Sequence, residues 1–410
     1  MKVALISNLY GRLGRGGAEG LVQKIAQGFL AHGDQVFVIS GAPSQEILPD
    51  HVRREVEGNV PVYRFYPPNI YFYSQANTHP IPDRLVWTFL DVFNRPAAGY
   101  VRDIILKERP DLILLHNLKG ISYFIPRFLK DFQDKIILTL HDVQLVNPSG
   151  LIIAGQENHW FSKSPPASFY RACCRFQFEP IRKVVSPSHF LMNFYKERHG
   201  FFPDAQALVL KNPMAFHETL RPRLPQVRVV DSINLLFVGQ MEEHKGINWL
   251  VDCLETNNYL IDGIKVYLKI VGTGSQKGQL PVTQGQLLGE LDRQALKVEM
   301  LKADYLVFPS ICYENSPSVI YEALSLGLPV IAADIGGVGE LVKDNFNGFL
   351  FQPTGYEKKT GGYGPFKEAL VKAGLQSLEA YSRMSLNAQK SVEDCTMDHY
   401  INKLLDFYRS

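Results

Sequence analysis

Two glutamates lie eight residues apart in a segment suited to binding a ligand with hydroxyl and phosphate groups. Glu314 follows the predicted strand Tyr305–Phe308 on a loop, and Glu322 lies about one turn into a helix predicted to begin at Ser318. A carboxylate accepts two directed hydrogen bonds, so it suits the vicinal hydroxyls of a sugar or a ribose. The free N–H groups at the start of the helix suit a phosphate. Pro317 has no N–H, so backbone contacts must come from neighbours such as Ser316, Ser318 and Val319.

A lysine follows another predicted strand of the same half, Ile233–Val238. Lys245 lies at the start of a predicted helix, where a compact cation can neutralise a departing diphosphate. Gln240, on the same loop, is neutral. A solvated surface lysine is the alternative interpretation of Lys245.

The first half offers a glycine-rich turn and two histidines at strand ends. Gly16 and Gly17 lie between the first strand and the first helix, where glycine permits close approach of an anion to the backbone. His141, followed by Asp142, ends the predicted strand Lys135–His141, at the sheet edge where open α/β sheets bind ligands. It can donate to a sugar hydroxyl, with Asp142 orienting it. His116 ends the neighbouring strand. A buried structural role is the alternative for either histidine.

Short predicted strands alternate with amphipathic helices along the chain. This pattern predicts parallel α/β sheets, which would position the residues named above. The predicted strands are Lys2–Ser7, Gln35–Ser40, Val60–Phe65, Asp111–His116, Lys135–His141, Val184–Ser186, Leu208–Leu210, Ile233–Val238, Lys265–Val271, Tyr305–Phe308, Pro329–Ala333 and Gly348–Phe351. Helices are predicted from about Gly246, Asp292, Ser318 and Pro365. The stretches 66–82 and 144–167 are rich in Pro, Asn and aromatic residues, and we interpret them as functional loops.

The chain is long enough for two domains. It has 410 residues, 46% of them hydrophobic and 20% charged, which is the composition of a packed globular protein. A polar, proline-punctuated stretch predicts a linker near 213–231. Five cysteines without a C-x-x-C pair indicate a reducing compartment. The net charge is +2 with no block of like charge, so we expect no nucleic-acid partner.

The segment from Glu314 to Glu322 resembles the E-x7-E signature of the retaining glycosyltransferases of family 4. The segment Gly239-Gln240-x4-Lys245-Gly246 is similar to that family's G-R-x4-K-G phosphate clamp, with Gln240 in place of an arginine. Gly16-Gly17-Ala18-Glu19 is similar to its G-G-x-E start. The family also has a histidine at the position of His141. Weaker matches at 271–275, 334–342 and 347–350 extend the resemblance over most of residues 1–355.

The resemblance implies a GT-B fold: two Rossmann-like domains with parallel sheets facing each other across a cleft. Residues 1–213 would form the acceptor-side domain, residues 231–385 the nucleotide-sugar donor domain, and residues 386–410 a C-terminal helix that packs on the N-terminal domain. The resemblance assigns Glu314 to the donor sugar, Glu322 to the ribose, and Gly16, Gly17, Gln240, Lys245, Ser316, Ser318 and Val319 to donor binding. His141 and Glu314 are the catalytic candidates.

The expected reaction is transfer of a hexosyl unit from a nucleotide diphosphate sugar to a glycan or lipid-linked acceptor, with retention at the anomeric carbon. The nucleotide sugar is a co-substrate, and no cofactor is expected. Because the sequence contains no D-x-D motif, no metal is expected to bridge the diphosphate; Lys245, helix termini and Arg12 or Arg15 would neutralise it instead. We expect a role in the synthesis of surface polysaccharide or glycoconjugate.

Two kinds of alternative remain open. The first is another GT-B enzyme, namely a phosphorylase or a nucleotide-sugar epimerase. The second, which Gln240 suggests, is a non-catalytic subunit that binds a nucleotide sugar. A nicotinamide-dependent dehydrogenase is disfavoured because the glycine fingerprint and its downstream acidic residue are missing.

We expect a cytoplasmic protein, at most peripheral on the inner face of a membrane. Met1-Lys2 leads directly into a strand with no signal-peptide pattern, and no apolar run approaches the ~18–20 residues that cross a bilayer. The aromatic and basic stretch 170–183 suits contact with a membrane that holds a lipid-linked acceptor. A buried helix with a charged edge explains it equally.

Overall fold

The computed structural model describes residues 1–14, 16–47, 51–156, 164–214, 216, 231–353 and 362–410. The chain divides into two units, which we treat one at a time. The first contains Met1–Leu151, Asn158–Pro213 and Met397–Ser410; the second contains Ile152–Glu157 and Met214–Thr396.

The first unit is built on an eight-stranded sheet in the order β3-β4-β2-β1-β5-β6-β7-β8. Its strands are β1 Lys2–Ser7, β2 Gln35–Gly41, β3 Val52–Glu57, β4 Val60–Phe65, β5 Leu112–Leu115, β6 Ile136–Thr139, β7 Lys183–Ser186 and β8 Gln206–Val209. Its helices include α1 Gly17–Ala31, α2 Ser44–Ile47, α3 Ile81–Val92, α4 Arg95–Glu108, α5 Ile125–Phe128, α6 Pro165–Phe178 and α7 His189–Asn193. The central strands are buried on both faces, which explains their continuous apolar runs.

The second unit has a seven-stranded sheet in the order β10-β11-β9-β13-β14-β15, with β12 paired to β11. Its strands are β9 Ser232–Val238, β10 Leu260–Ile261, β11 Ile264–Val271, β12 Gln286–Gly289, β13 Tyr305–Phe308, β14 Val330–Ala333 and β15 Gly348–Phe351. Its helices are α8 Ile247–Thr256, α9 Arg293–Lys302, α10 Ser318–Ser325, α11 Val338–Leu341, α12 Gly364–Gly374 and α13 Leu378–Lys390, together with the 3-10 turn Glu243–Lys245.

The last helix, α14 Met397–Arg409, belongs to the first unit. It buries Tyr400, Ile401, Leu404 and Leu405 in the same apolar cluster as the inner face of α1. A Cβ atom on Gly28 of α1 would lie 2.5 Å from Met397 Cγ and 2.8 Å from Ile401 Cδ1, so the two helices pack closely because Gly28 has no side chain. The contact division falls between residues 396 and 397, whereas the sequence analysis placed a boundary after residue 385; α13 spans that predicted boundary and stays in the second unit.

Both sheets are mainly parallel, as predicted, and each also has an antiparallel edge strand that the sequence analysis did not predict. Strand β3 runs antiparallel to β4, and β10 runs antiparallel to β11. In β3 the charged residues Arg53, Arg54, Glu55 and Glu57 interrupt the apolar pattern. Edge strands tolerate such charges because one side of the strand has no neighbour in the sheet.

The carboxyl ends of parallel strands meet at one edge of each sheet, so the loops that follow them lie near one another. In the first unit these loops follow β1, β5 and β6; in the second they follow β9, β13 and β14. The predicted site residues that the structure describes lie on these loops or in the first two turns of the helices that follow them. In the described part of the chain, no helix has both the length and the hydrophobicity needed to cross a membrane.

Candidate active site

Lys245 and Glu314 form an ion pair in the second unit. Lys245 Nζ lies 2.5 Å from Glu314 Oε1, and both side chains are largely buried. Ser310 Oγ donates to the same carboxylate oxygen at 3.0 Å. Burial opposes the charge on Lys245, but the attraction of Glu314 and Cys312 and the hydrogen bond to Glu314 together outweigh it, so the pKa of the ammonium group is raised. The lysine is therefore a fixed cation that faces the loop on which Glu314 lies.

Two glycines bring the loops that carry this pair together. Gly246, at φ +73°, lies so close to Pro309 that an added Cβ atom would be 1.9 Å from its carbonyl oxygen. Gly336, at φ +63°, lies against Glu314 in the same way, with 2.2 Å between such a Cβ atom and the Glu314 carbonyl oxygen. Gly337 N–H also donates to that oxygen at 2.7 Å. The main chain of Glu314 is thus held from outside its own loop, and only glycine fits these positions.

The predicted donor-binding residues of α10 lie at its beginning. Pro317 caps the helix without a side-chain hydrogen bond to it, and Ser318 is the first helical residue. Ser316 Oγ and Tyr321 Oη lie 2.7 Å apart, which fixes the serine beside the helix start. Val319 follows, half-buried. The N–H groups of this first turn form the expected phosphate-binding end.

Glu322 is half-buried on α10, one turn beyond its start, as the sequence predicted. Its carbonyl oxygen accepts from Ser325 Oγ at 2.8 Å. Gln240 is exposed on the loop after β9. The adjoining Met241 N–H donates to Thr273 O at 2.9 Å, which ties this loop to the one after β11. The structure therefore brings Lys245 and Glu314 into direct contact and places Glu322 on the helix that follows Glu314.

In the first unit, Gly16 and Gly17 begin α1. Gly16 is the N-cap residue in extended backbone, and Gly17 is the first helical residue. A Cβ atom on Gly16 would lie 2.8 Å from Glu19 Oε2, so the carboxylate of Glu19 folds back toward the helix start. An anion at the N-terminus of a helix is favourable, and Glu19 supplies one from within the chain.

Of the two arginines expected to assist Lys245, the structure describes Arg12. Arg12 pairs with Glu46 at 2.6 Å and lies 3.6 Å from Glu55. It is therefore part of an ionic network of the first unit that also includes the buried Arg64. Arg15 lies outside the described residues.

His141 and His116 form a hydrogen-bonded pair in the first unit. His116 Nδ1 and His141 Nε2 lie 3.0 Å apart. Burial lowers the pKa of His141 to about 4. Burial, and then the neighbouring His141, lower the pKa of His116 far below its ordinary value. Both rings are therefore neutral at pH 7, so one ring donates its N–H to the unprotonated nitrogen of the other.

These histidines line a small pocket of about 30 Å³. Asp142 also lines the pocket, and its Oδ1 accepts from Gln144 N–H at 2.8 Å. Burial raises the pKa of Asp142 to about 6. The sequence analysis considered Asp142 as a partner that orients His141; the structure shows His116 Nδ1 as the partner of His141 Nε2.

The sequence analysis missed a segment that supports the Glu314 loop. Residues 152–156 lie in a stretch interpreted as a loop of the N-terminal half, yet they pack in the second unit. Ala154 N–H donates to Ile311 O, and Tyr313 N–H donates to Ile152 O, both at 2.8 Å. The apolar pair Ile152-Ile153 within a polar stretch was the available signal.

Two family models match this chain. The model of glycosyltransferase family 4 matches residues 15–214, and the model of group 1 glycosyl transferases matches residues 225–359. Together they span most of the chain. The chain belongs to the group 1, family 4 glycosyltransferases.

The chain is also similar to individual proteins. This glycosyltransferase is 25% identical to an uncharacterised 42.6 kDa protein in the cps region of Klebsiella pneumoniae, over 83% of this chain and 87% of the relative. It is 26% identical to TuaC of Bacillus subtilis, named as a teichuronic acid biosynthesis glycosyltransferase, over 72% of this chain and 68% of the relative. Among solved structures, Anabaena Alr3699/HepE in complex with UDP superposes with a TM-score of 0.65 at 17% identity, over 99% of each chain.

The glycosyltransferase therefore has the GT-B fold predicted for it, with two Rossmann-like units, and it is an enzyme as expected. Among the described residues, no group of three or more His, Cys, Asp or Glu side chains is arranged to hold a metal ion.

Proposed function

We propose that this glycosyltransferase transfers a hexosyl unit from a nucleotide diphosphate sugar to a glycan or lipid-linked acceptor during synthesis of a surface polysaccharide or glycoconjugate. The names of the relatives support the setting, since one belongs to teichuronic acid biosynthesis and one to a cps region. The solved structure with UDP supports a nucleotide diphosphate donor.

The observation that supports the proposal best is the contact between Lys245 and Glu314. The resemblance assigns the lysine to the diphosphate and the glutamate to the sugar. In a donor, the diphosphate and the sugar are joined by the bond that breaks. Their side chains meet at 2.5 Å beside the start of α10. In the absence of a donor, Lys245 and Glu314 neutralise each other's charge. When a donor binds, its diphosphate supplies an anion to Lys245 and its sugar supplies hydroxyls to Glu314.

The other predicted residues complete the donor site in this proposal. Glu322 binds the ribose, and the backbone around Ser316, Ser318 and Val319 binds the sugar and the phosphates. Gln240 lies on the loop after β9 and supplies no charge. In this proposal Lys245 and the start of α10 therefore neutralise the leaving group without a metal. Gly16 and Gly17 approach the donor phosphate or the acceptor through their backbone.

Transfer proceeds in this proposal with retention, by front-face displacement. The bond from the anomeric carbon to the diphosphate oxygen breaks, the acceptor oxygen forms its bond on the same face, and its proton passes to the leaving phosphate. His141, which is neutral, donates a hydrogen bond to a sugar hydroxyl near this centre. The family resemblance supports retention, and the sequence offers no assignable carboxylate nucleophile.

The test is the loss of activity on removing Lys245. A panel of nucleotide diphosphate sugars is screened by thermal shift, and the donor that stabilises the protein is then used to measure hydrolysis and transfer. Lys245→Ala is expected to lower kcat/KM about 100-fold or more, because a group that stabilises the leaving charge is lost.

Lys269→Ala is the matched control. Lys269 pairs with Glu299 at 2.7 Å in the same unit, with exposure similar to that of the Lys245 pair, and it lies on β11 away from α10. It is expected to keep wild-type activity. Equal activity of the two variants would refute the assignment of Lys245, and loss of transfer in the presence of a chelator would refute metal independence. Products with inverted anomeric configuration would refute retention.

A further inference from the structure

His116 and His141 are brought together by the main chain of the sheet. His116 comes directly after β5, and its N–H donates to Ile6 O on β1 at 2.9 Å. Leu140, just before His141, donates its N–H to Val185 O on β7 at 2.8 Å. Because β5 and β6 are neighbours in the sheet, the contact between the two rings is built into the fold of the first unit.

The two rings differ in exposure. His116 is only 3% exposed, whereas His141 is half-buried, so His141 is the ring of the pair that a ligand can reach. Asp142 was the other candidate to orient His141, but its Oδ1 accepts from Gln144 N–H within its own turn. The side chain that the structure shows at His141 Nε2 is therefore His116, which can act on a ligand only through His141.

The hydrogen bond between the rings can be made in two ways, because each neutral ring carries one hydrogen. If His141 Nε2–H donates to His116 Nδ1, the hydrogen of His116 must lie on its Nε2. That nitrogen is buried and has no hydrogen-bond partner among the described residues. A buried N–H without an acceptor is rarer in proteins than a buried acceptor without a donor. The structure therefore favours the opposite arrangement, in which His116 Nδ1–H donates to His141 Nε2.

The direction of this bond decides what His141 can offer to a ligand. When its Nε2 accepts, the single hydrogen of His141 lies on Nδ1. In the opposite arrangement the hydrogen on Nε2 is used by His116, and Nδ1 has only a lone pair, which cannot donate to a hydroxyl group. Only the first arrangement lets a neutral His141 donate a hydrogen bond to a sugar.

We propose that His116 is a positioning residue, whose Nδ1–H holds His141 in the tautomer with its hydrogen on Nδ1, and that His141 donates this hydrogen to the sugar hydroxyl of the donor. The tautomer follows from the geometry of the pair alone. The donation to the sugar rests on the proposed function. His116 thus acts on the reaction without touching the substrate, by setting which nitrogen of its neighbour is a donor.

Nuclear magnetic resonance of the full chain labelled with ¹⁵N-histidine, at pH 7 and without a donor, measures the tautomer. The chain has 11 histidines, and the signals of His141 are those absent from the spectrum of His141→Asn. We expect the hydrogen of His141 on Nδ1. His116→Asn retains an N–H at the position of Nδ1 and should keep this tautomer, whereas His116→Asp, with a carboxylate that only accepts, should move the hydrogen to Nε2.

Donor hydrolysis by the same proteins measures the consequence, with the donor found by thermal shift. His116→Asp is expected to lower kcat/KM about tenfold, because a hydrogen bond to the sugar is lost, and His116→Asn to stay within about threefold of the wild type. In the His141→Asn background, His116→Asp should have no further effect, since it acts through His141. Thr139→Val is the matched control, because Thr139 is a buried polar residue that lines the same pocket. It should keep the wild-type tautomer and rate.

A wild-type His141 with its hydrogen on Nε2 would overturn the proposal, and so would equal losses in the two His116 variants or additive losses in the double variant. A moved hydrogen with an unchanged rate would overturn the donation to the sugar. The tautomer is read without a donor, so failure of this inference is distinguishable from failure of the proposed function, which the Lys245 variant tests. If His116→Asp does not fold, the spectra of the wild type and of His116→Asn still decide the tautomer.

Discussion

The neutral histidine pair lowers the stability of the first unit at acidic pH. Burial lowers the pKa of His141 to about 4, whereas an unfolded histidine titrates near 6.5. Between these two values the unfolded chain takes up a proton that the folded chain does not. The stability that depends on neutral His141 is therefore complete above pH 6.5 and is lost as the pH falls toward 4.

We expect the free energy of unfolding of the wild type to fall by about 2 kcal/mol from this group between pH 7 and pH 5. His141→Asn removes the titrating group, so its pH dependence over this range should be shallower by that amount. Asp142, whose raised pKa acts in the opposite sense, is common to both proteins. Chemical denaturation at pH 7, 6 and 5 measures the difference, and identical slopes would show that His141 is not held neutral.

At the scale of elements, the turn before α11 packs directly on the main chain of the Glu314 loop because Gly336 has no side chain. Gly336→Ala adds a Cβ atom 2.2 Å from the Glu314 carbonyl oxygen, at a backbone φ of +63° that alanine also disfavours. We expect it to lower both the free energy of unfolding, by about 2–4 kcal/mol, and the rate of donor hydrolysis.

Gly263→Ala separates the effect of the unfavourable backbone conformation from the effect of the contact with Glu314. Gly263 has φ +86°, yet no atom lies within 4 Å of its added Cβ atom, so only the backbone cost of about 1 kcal/mol applies. Its donor hydrolysis should be unchanged. If both variants lost activity equally, displacement of Glu314 would not be the cause. Denaturation curves and hydrolysis rates for the two proteins decide this.

The elements that could be predicted from the sequence are those whose pattern is local. Strands β1, β4 and β13 match their predicted bounds because a buried strand is a short apolar run between polar turns. Strand β3 was missed because its charged residues interrupt the apolar pattern, and its pairing with β4 cannot be recognised from the sequence of β3 alone. Helix α3 was not predicted either, since its apolar residues face outward and lie next to Pro80 and Pro82.

The same limit applies to the site. The spacing of Glu314 and Glu322 and the position of Lys245 were evident from short motifs. The bridge from Ala154 to Ile311 and the pairing of His116 with His141 are contacts between parts of the chain that lie apart in sequence. No spacing rule gives such contacts, because they depend on which strands neighbour each other in the sheet.

At the scale of the whole molecule, the path of the chain makes the first unit depend on the last residues. Helix α14 closes the apolar cluster above α1, and its end is fixed by Lys183 Nζ, which donates to Phe407 O at 2.9 Å, and by Tyr408 Oη, which donates to Asp111 O at 2.7 Å. The N-terminal unit therefore completes its core only when the chain returns to it from the second unit.

Ile401→Ala tests this dependence. Ile401 is fully buried against α1, so the cavity left should lower the free energy of unfolding of the first unit by about 2–4 kcal/mol. Hydrogen exchange followed by mass spectrometry should show faster exchange in peptides from α1 and β1, while peptides from β9 and β13 keep wild-type protection. Lys403→Ala, at an exposed position of the same helix, should change neither set. Loss of protection confined to β9 and β13, or none in α1, would mean that α14 does not stabilise the first unit.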